Sequence, residues 1–383
     1  MRMEKHGSTK VRSDWFTSED RQRNGLNKPE HIPVYFGWPL CPRSIGFACC
    51  CPRGFYSLPM KTLQTLAVCL ALVPLLEFTA ASQEPGILPA LSFSTPSKGR
   101  RILKARDAFV MRLSAFDRSA RLKTDRQVSE KEFLEFVALN VLPWEDAEKD
   151  QIETIYRGLQ ANLKGLRLRF PTRVNLIKTT GDEEGAAAYT RANAIIFPAR
   201  KLAKGITPEL LTHELFHVLS RHNPGLKEKL YGAIGFRKCA EIPFPVSLAS
   251  RKITNPDAPV NAHAIRLDAG GEKVWVVPIL FSRANTYDVS KGGEFFDYLE
   301  FRFLLVSKEG SLENLKSTYD PESPVLYRMD QVSGFFEQIG QNTRYTIHPE
   351  EILADNFMIL VTGKKEPPSM QVQDRIKAVL LGR

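Results

Sequence analysis

Cysteine is missing where a scaffold would need it. Of the six cysteines in 383 residues, Cys41, Cys49, Cys50, Cys51 and Cys69 crowd the amino-terminal part, and Cys239 alone follows. A disulfide framework is therefore excluded for the larger part of the chain, which must rely on an apolar core. Cys239 reads as packing, since no nucleophile motif surrounds it. Long apolar runs are also absent. The best, Leu66–Leu76, is broken by Pro74 and falls short of the roughly 20 residues that span a bilayer. Nor is charge of one sign concentrated. Residues 1–82 hold ten of the 53 Lys/Arg and six of the 43 Asp/Glu, so the formal +10 falls to +6 for the rest. Apart from a short basic run at Lys98–Arg106 the charges are interspersed, and zinc-finger, RNA-recognition and basic-zipper patterns are missing. Nucleic acid is not an expected partner. Internal repeats are absent as well.

What is present begins with an export signal. From Met60 the chain reads MKTLQTLAVCLALVPLLEFTAASQ, with basic Lys61, a short apolar middle and the small residues Thr79, Ala80, Ala81 and Ser82. That is the layout of a secretory signal over residues 60–82. Such signals begin at the initiator, so Met60 is the expected start and residues 1–59 a non-native extension. The expected location is periplasmic or secreted, with no membrane span left after cleavage. Residues 83–99, rich in Pro, Ser and Gly, read as a linker to a domain over 100–383.

The domain reads as α+β. Ser129 with Glu132 forms a capping box ahead of an apolar helix, and a second helix is expected from Trp144 to about Leu163. The period then changes: Arg173–Lys178 and Ala194–Phe197 read as strands around a Gly- and acid-rich loop, Gly181–Gly185. Thr207 as N-cap, Pro208 at the first position and Asn223-Pro224-Gly225 as a stop define a helix over 207–221. The following stretch, about 226–345, is largely strand-like and reads as an insertion between two helices. Tyr298–Leu305 alternates in period two, Gly270-Gly271 marks a hairpin, and Pro278 demotes Lys273–Phe281 to an edge or a bulge. A last helix is expected from Pro349 to Gly363.

The helix over 207–221 carries His213-Glu214-Leu215-Phe216-His217. Residues four apart stack on one helix face, so the two imidazoles can present nitrogens to one metal ion. Glu214 lies about 100° round the helix, placed to take a proton from water beside that ion. Its neighbours Leu210, Leu211, Leu215, Phe216, Val218 and Leu219 make the helix apolar nearly all round. Three titratable groups buried there are costly unless paired or metal-bound.

A third ligand is needed. His222 falls one residue short of the spacing used by zinc proteases with three histidines, and suits a helix end. The stretch IHPEEILADNF (residues 347–357) is the stronger source. Glu351 and Asp355 stack four apart on a helix, Glu351 to coordinate the ion and Asp355 to take the ring N–H of a ligating histidine, expected to be His213. Glu350 is expected to point elsewhere.

With HELFH and EILAD in place, and the strand AIIF before the first helix, the chain resembles the gluzincins, the thermolysin-like zinc metallopeptidases. The resemblance covers about residues 170–225 and 345–363. It implies a zincin-like core, one zinc ion on His213, His217 and Glu351, Glu214 as the catalytic base, and Ala194–Phe197 as an edge strand holding an extended peptide. The substrate would be a peptide or protein. The spacing departs from that class, for 133 residues separate His217 from Glu351. Tyr345, His348 and Tyr327 are the candidates for an oxyanion or substrate contact. The alternative is a non-catalytic exported zinc module, with His222 or His263 as a fourth ligand. Glu214 discriminates, because a structural site has no use for a base beside an open position.

Overall fold

The structure is a computed structural model, and it describes residues 88–308, 312, 319–363 and 366–383. The export signal at 60–82 and the extension at 1–59 lie outside the described residues. Among the described residues no helix is long and apolar enough to cross a membrane.

The chain is α+β, with one mixed and one antiparallel sheet. It runs through β1 (Ala90–Phe93), α1 (Pro96–Leu103), α2 (Ala115–Arg121), α3 (Glu130–Leu139), β2 (Val141–Leu142), α4 (Asp146–Lys164), β3 (Arg173–Thr179), β4 (Tyr189–Arg191), β5 (Ala194–Pro198) and α5 (Ala199–Lys204). Then come α6 (Pro208–His222), α7 (Pro224–Ala233), β6 (Phe236–Lys238), β7 (His263–Ala269), β8 (Glu272–Ser282), β9 (Leu299–Ser307) and β10 (Leu326–Tyr327). It closes with α8 (Phe335–Ile339), α9 (Pro349–Thr362) and α10 (Met370–Leu380).

In the first sheet β1, β3 and β5 are parallel, β4 lies antiparallel on the outside of β5, and β2 pairs with β3. Helices cover both faces. Val174, Leu176, Ile195 and Phe197 join the main core with α4, α6 and α9, while Ile177, Ala194 and Ile196 meet α1 and α3. Burial on both faces explains why AIIF is continuously apolar. It also corrects the expected edge: β5 is interior, and the edge strand is β4.

The second sheet has the order β10-β9-β8-β7-β6, antiparallel throughout. Gly270 and Gly271, at φ 64° and 89°, form the tight β7–β8 turn that requires positive φ at both positions. One face, with Ile265, Leu267, Val274, Val276 and Phe303, belongs to the main core. The other, with Val277, Ile279, Leu304 and Val306, builds a smaller cluster. Strand β8 lies between β9 and β7, with a register shift between Trp275 and Val276, so the bulge expected near Pro278 is present and the edge is only local. Pro278 stands beyond the end of the β7 pairing at Val276, where β8 is paired with β9 alone.

Other expectations change too. The stretch 83–99 is not a linker throughout, because β1 pairs with β3 and Thr95 caps α1, accepting from Lys98 N–H with Pro96 in the first turn. Pro224 ends α6 and is also in the first turn of α7, which begins at once. The helix α10 follows the one expected to be last.

α6 and α9 pack against each other in the centre of the core. Thr207 accepts from Leu210 N–H to start α6, and Asn223 Nδ2 donates to Leu219 O at its end. His348 starts α9 and Gly363, in the left-handed conformation, ends it. These caps fix the registers in which the two helices meet.

Candidate metal centre

α6 presents His213, Glu214 and His217 to α9, which answers with Glu350, Glu351 and Asp355. His213 Nε2 lies 3.2 Å from Glu351 Oε2, and His217 Nε2 lies 3.6 Å from the same oxygen. The ligand atoms of the three residues all fall within 4.8 Å of one another. Donors bound tetrahedrally at about 2.0–2.1 Å from a zinc ion stand roughly 3.3 Å apart. The two histidine–carboxylate separations are close to that spacing, and the two histidine nitrogens lie within 4.8 Å of each other.

Each donor is oriented from behind. His213 Nδ1 is 2.9 Å from Asp355 Oδ1, and the Thr343 hydroxyl donates to the other Asp355 oxygen. His217 Nδ1 is 3.4 Å from Glu350 Oε1, while Glu350 Oε2 accepts from the hydroxyls of Ser220 at 3.0 Å and Tyr231 at 2.6 Å. Asn255 Nδ2 donates to Glu351 Oε1 at 2.6 Å. Glu350 thus does not point elsewhere. Successive residues diverge by 100° on a helix, and here the divergence sends Glu351 to the Nε2 side of the histidines and Glu350 behind His217.

Two atoms stand out by what they lack. His217 Nε2 and Glu214 Oε2 are buried and have no hydrogen-bond partner among the described residues. A buried polar atom left unpaired costs free energy, and these two belong to the residues the motif assigns to metal and water.

The electrostatics ask for positive charge between the rings. Burial depresses the His213 pKa, but Asp355 and Glu351 outweigh it and hold the ring well above the ordinary value. Burial likewise opposes a charged His217, yet Asp257, Glu351 and Glu350 raise it to about 9. Burial favours a neutral Glu351, and the two histidines with Asn255 overcome that, bringing it to about 2. So many carboxylates require either protons on both imidazoles or a cation between them. Glu214 differs: burial and then Asp257 raise it to about 7, against the pull of the histidines.

Of the candidates for substrate or oxyanion contact, the structure brings Tyr345 to the site. Its ring stacks on His213, with centroids 6.3 Å apart and planes 27° apart. Burial, followed by Glu351, Asp257, Asp355 and Glu214, pushes its phenol well above 10, so it keeps its proton. His348 is instead the cap of α9, its Nδ1 accepting from Glu350 N–H at 3.0 Å. Burial and Lys227 lower His348 to about 3, so the ring is neutral. Tyr327 lies on β10 opposite Phe303 and packs into the core. His222 is exposed at the end of α6, and His263 pairs with Glu228 at 3.1 Å. Neither joins the donor set.

The sequence did not reveal Asn255 or Asp257. Both sit on a loop before β7, in the stretch TNPDAP, whose Asn-Pro-Asp marks a turn and nothing about where the turn lands. The ligand atoms of Asp257, Glu214 and His217 lie within 4.8 Å of one another. Asp257 Oδ1 accepts from Thr190 N–H at 2.8 Å and from its hydroxyl at 2.5 Å.

Compared with family models, curated proteins and solved structures, the chain has no match.

Proposed function

We propose that the protein is an exported zinc-dependent metallohydrolase, a metallopeptidase of the gluzincin type acting on a peptide or protein. One observation carries the reading: His217 Nε2 and Glu214 Oε2 lie buried without a hydrogen bond in a site where the neighbouring polar atoms are tied down. The arrangement of α6 against a mixed sheet, with an antiparallel outer strand and a glutamate helix beside it, supports a zincin-like core.

His213, His217 and Glu351 would hold one zinc ion, which supplies Lewis acidity toward a carbonyl oxygen and brings the pKa of water to about 7. Glu214 would take the proton of the attacking water and pass it to the leaving nitrogen. Asp355 and Glu350 hold the imidazoles in place for this, and Tyr345 keeps an O–H to donate to the developing oxyanion. The edge strand β4 does not offer a substrate a free backbone. There the outward N–H of Thr190 is taken by Asp257, and the carbonyl of Ala192 accepts from Arg221 at 2.8 Å. Just upstream, the N–H groups of Ala186 and Ala187 are given to the carbonyls of Gly181 and Glu184, and Ala186 is left-handed at φ 60°, so this stretch does not extend the edge.

The non-catalytic zinc module is the weaker reading. It needs a fourth protein ligand, and His222 and His263 are engaged elsewhere or exposed.

The test is zinc content of the full chain, purified without a metal-affinity tag. Wild type should carry about one zinc, Glu351→Ala none, and Glu214→Gln its full zinc with no cleavage of a peptide library. A zinc-free wild type, or zinc retained by Glu351→Ala, sinks the three-ligand site. Cleavage by Glu214→Gln at the wild-type rate sinks the assignment of the base. Sequencing the mature amino terminus tests export.

A further inference from the structure

We infer that Asn255 is a positioning residue of the metal centre, holding Glu351 to ligation through a single oxygen, so that the loop before β7 is part of the site. The inference rests on the zinc reading above.

The amide of Asn255 has two partners, and they fix its orientation. Asp257 N–H donates to Oδ1 at 2.9 Å, so that end must be the carbonyl oxygen. The amide nitrogen is then turned to Glu351 Oε1, 2.6 Å away. Glu351 is 2 % exposed, so little water can replace this donor. With Oε1 occupied, Oε2 alone faces both His213 Nε2 and His217 Nε2. Without Asn255, Oε1 is left either unpaired in a buried place or free to swing onto the ion as a second oxygen donor. The latter would use the position that water needs.

The loop is held firmly enough for the task. Next to Asn255, Thr254 N–H lies 3.1 Å from each carboxylate oxygen of Asp117, and its hydroxyl is 2.8 Å from Asp117 Oδ2. Arg121 Nη2 donates to Thr254 O at 3.2 Å, and Arg121 is itself clamped by Glu184 at 2.8 and 2.6 Å. On the far side, Asp257 is fastened to Thr190 and its carbonyl to Arg221. A loop pinned on both flanks positions a ligand; it does not swing as a gate.

Asn255→Asp separates this role from a merely structural one. The variant has nearly the same shape and keeps an acceptor for Asp257 N–H, so the turn survives. It replaces the donor toward Glu351 with a carboxyl group that either repels Glu351 or shares a proton with it. Zinc affinity, measured by competition with a chromophoric chelator on the full chain, should fall about ten- to a hundredfold, with the circular dichroism unchanged. With cobalt(II) in place of zinc, the visible absorption should weaken as the carboxylate swings to two-oxygen ligation and coordination rises above four. Asn255→Ala, which lacks both bonds and has no carboxyl to share a proton with Glu351, is measured alongside, and its affinity should fall as well. Wild-type zinc affinity and cobalt spectrum in a folded Asn255→Ala would overturn the inference while leaving the site intact. A wild type that binds no zinc would overturn the metal reading itself.

Discussion

Glu183 allows a prediction of sign as well as size. It sits in the short 3₁₀ turn Asp182–Glu184, is 1 % exposed, and has the Tyr189 hydroxyl 3.4 Å from Oε1. Burial raises its pKa to about 7, with Thr179 and the backbone offsetting part of the effect. In the unfolded chain it titrates near 4.5. Between these values the native state keeps a proton that the unfolded state has released, so stability falls as pH rises. The contribution is fully present below pH 4.5 and gone above pH 7. At roughly 1.4 kcal/mol per pH unit the loss reaches about 3 kcal/mol. Glu183→Gln has the shape of the protonated acid and does not ionise. Chemical denaturation of both proteins from pH 4 to pH 8 should give equal stability at the acid end and an advantage for the variant that grows to about 3 kcal/mol by pH 8. Taking the difference cancels the other titrating groups. A difference independent of pH, or one that shrinks as pH rises, would refute the argument.

Two further predictions concern the site and its support. Tyr345→Phe, assayed with a peptide recovered from the cleavage screen, should lower kcat about 10²- to 10³-fold with little change in KM or zinc content. An unchanged kcat would reduce Tyr345 to a ring packed on His213. Arg121→Met should cost about 3–5 kcal/mol by denaturation, because it leaves the buried carboxylates of Asp117 and Glu184 without their cation. A loss under about 1 kcal/mol would mean that those carboxylates find protons or water instead.

What could be read from the sequence was local. Thr207-Pro208 and His348-Pro349 mark helix starts because an N-cap and a proline at the first turn act within one turn. His213 and His217 share a face because four residues make about one turn. Asp355 behind His213 could be inferred for the same reason, being one turn from Glu351. The misreadings concern which elements become neighbours. AIIF is equally apolar whether a strand borders it or not, so nothing in it reveals that β4 lies outside β5. Ala90–Phe93 is four residues beside prolines, and only pairing with β3, more than eighty residues away, makes it a strand. Glu350 could have been suspected: of two acids in one turn facing two imidazoles, one can lie between the rings while the other holds a ring from behind. Asn255 could not, since its partner is 96 residues distant and asparagine before proline is ordinary in turns.

The long separation between the two motif helices follows the same logic. Spacing in sequence says nothing of distance once the intervening chain is folded into the same core. One face of the second sheet, with Ile265, Leu267, Val276 and Phe303, packs in a single cluster with Leu215, Phe216, Ile352 and Phe357 of the two helices. The stretch between His217 and Glu351 therefore bears against the helices it separates, and through Asn255 it reaches Glu351 directly. A chain with residues 226–345 cut out would join the histidine and glutamate helices closely in sequence, yet it would strip apolar surface from both and leave Glu351 Oε1 unpaired. The segment that looks like an insertion is a wall of the site.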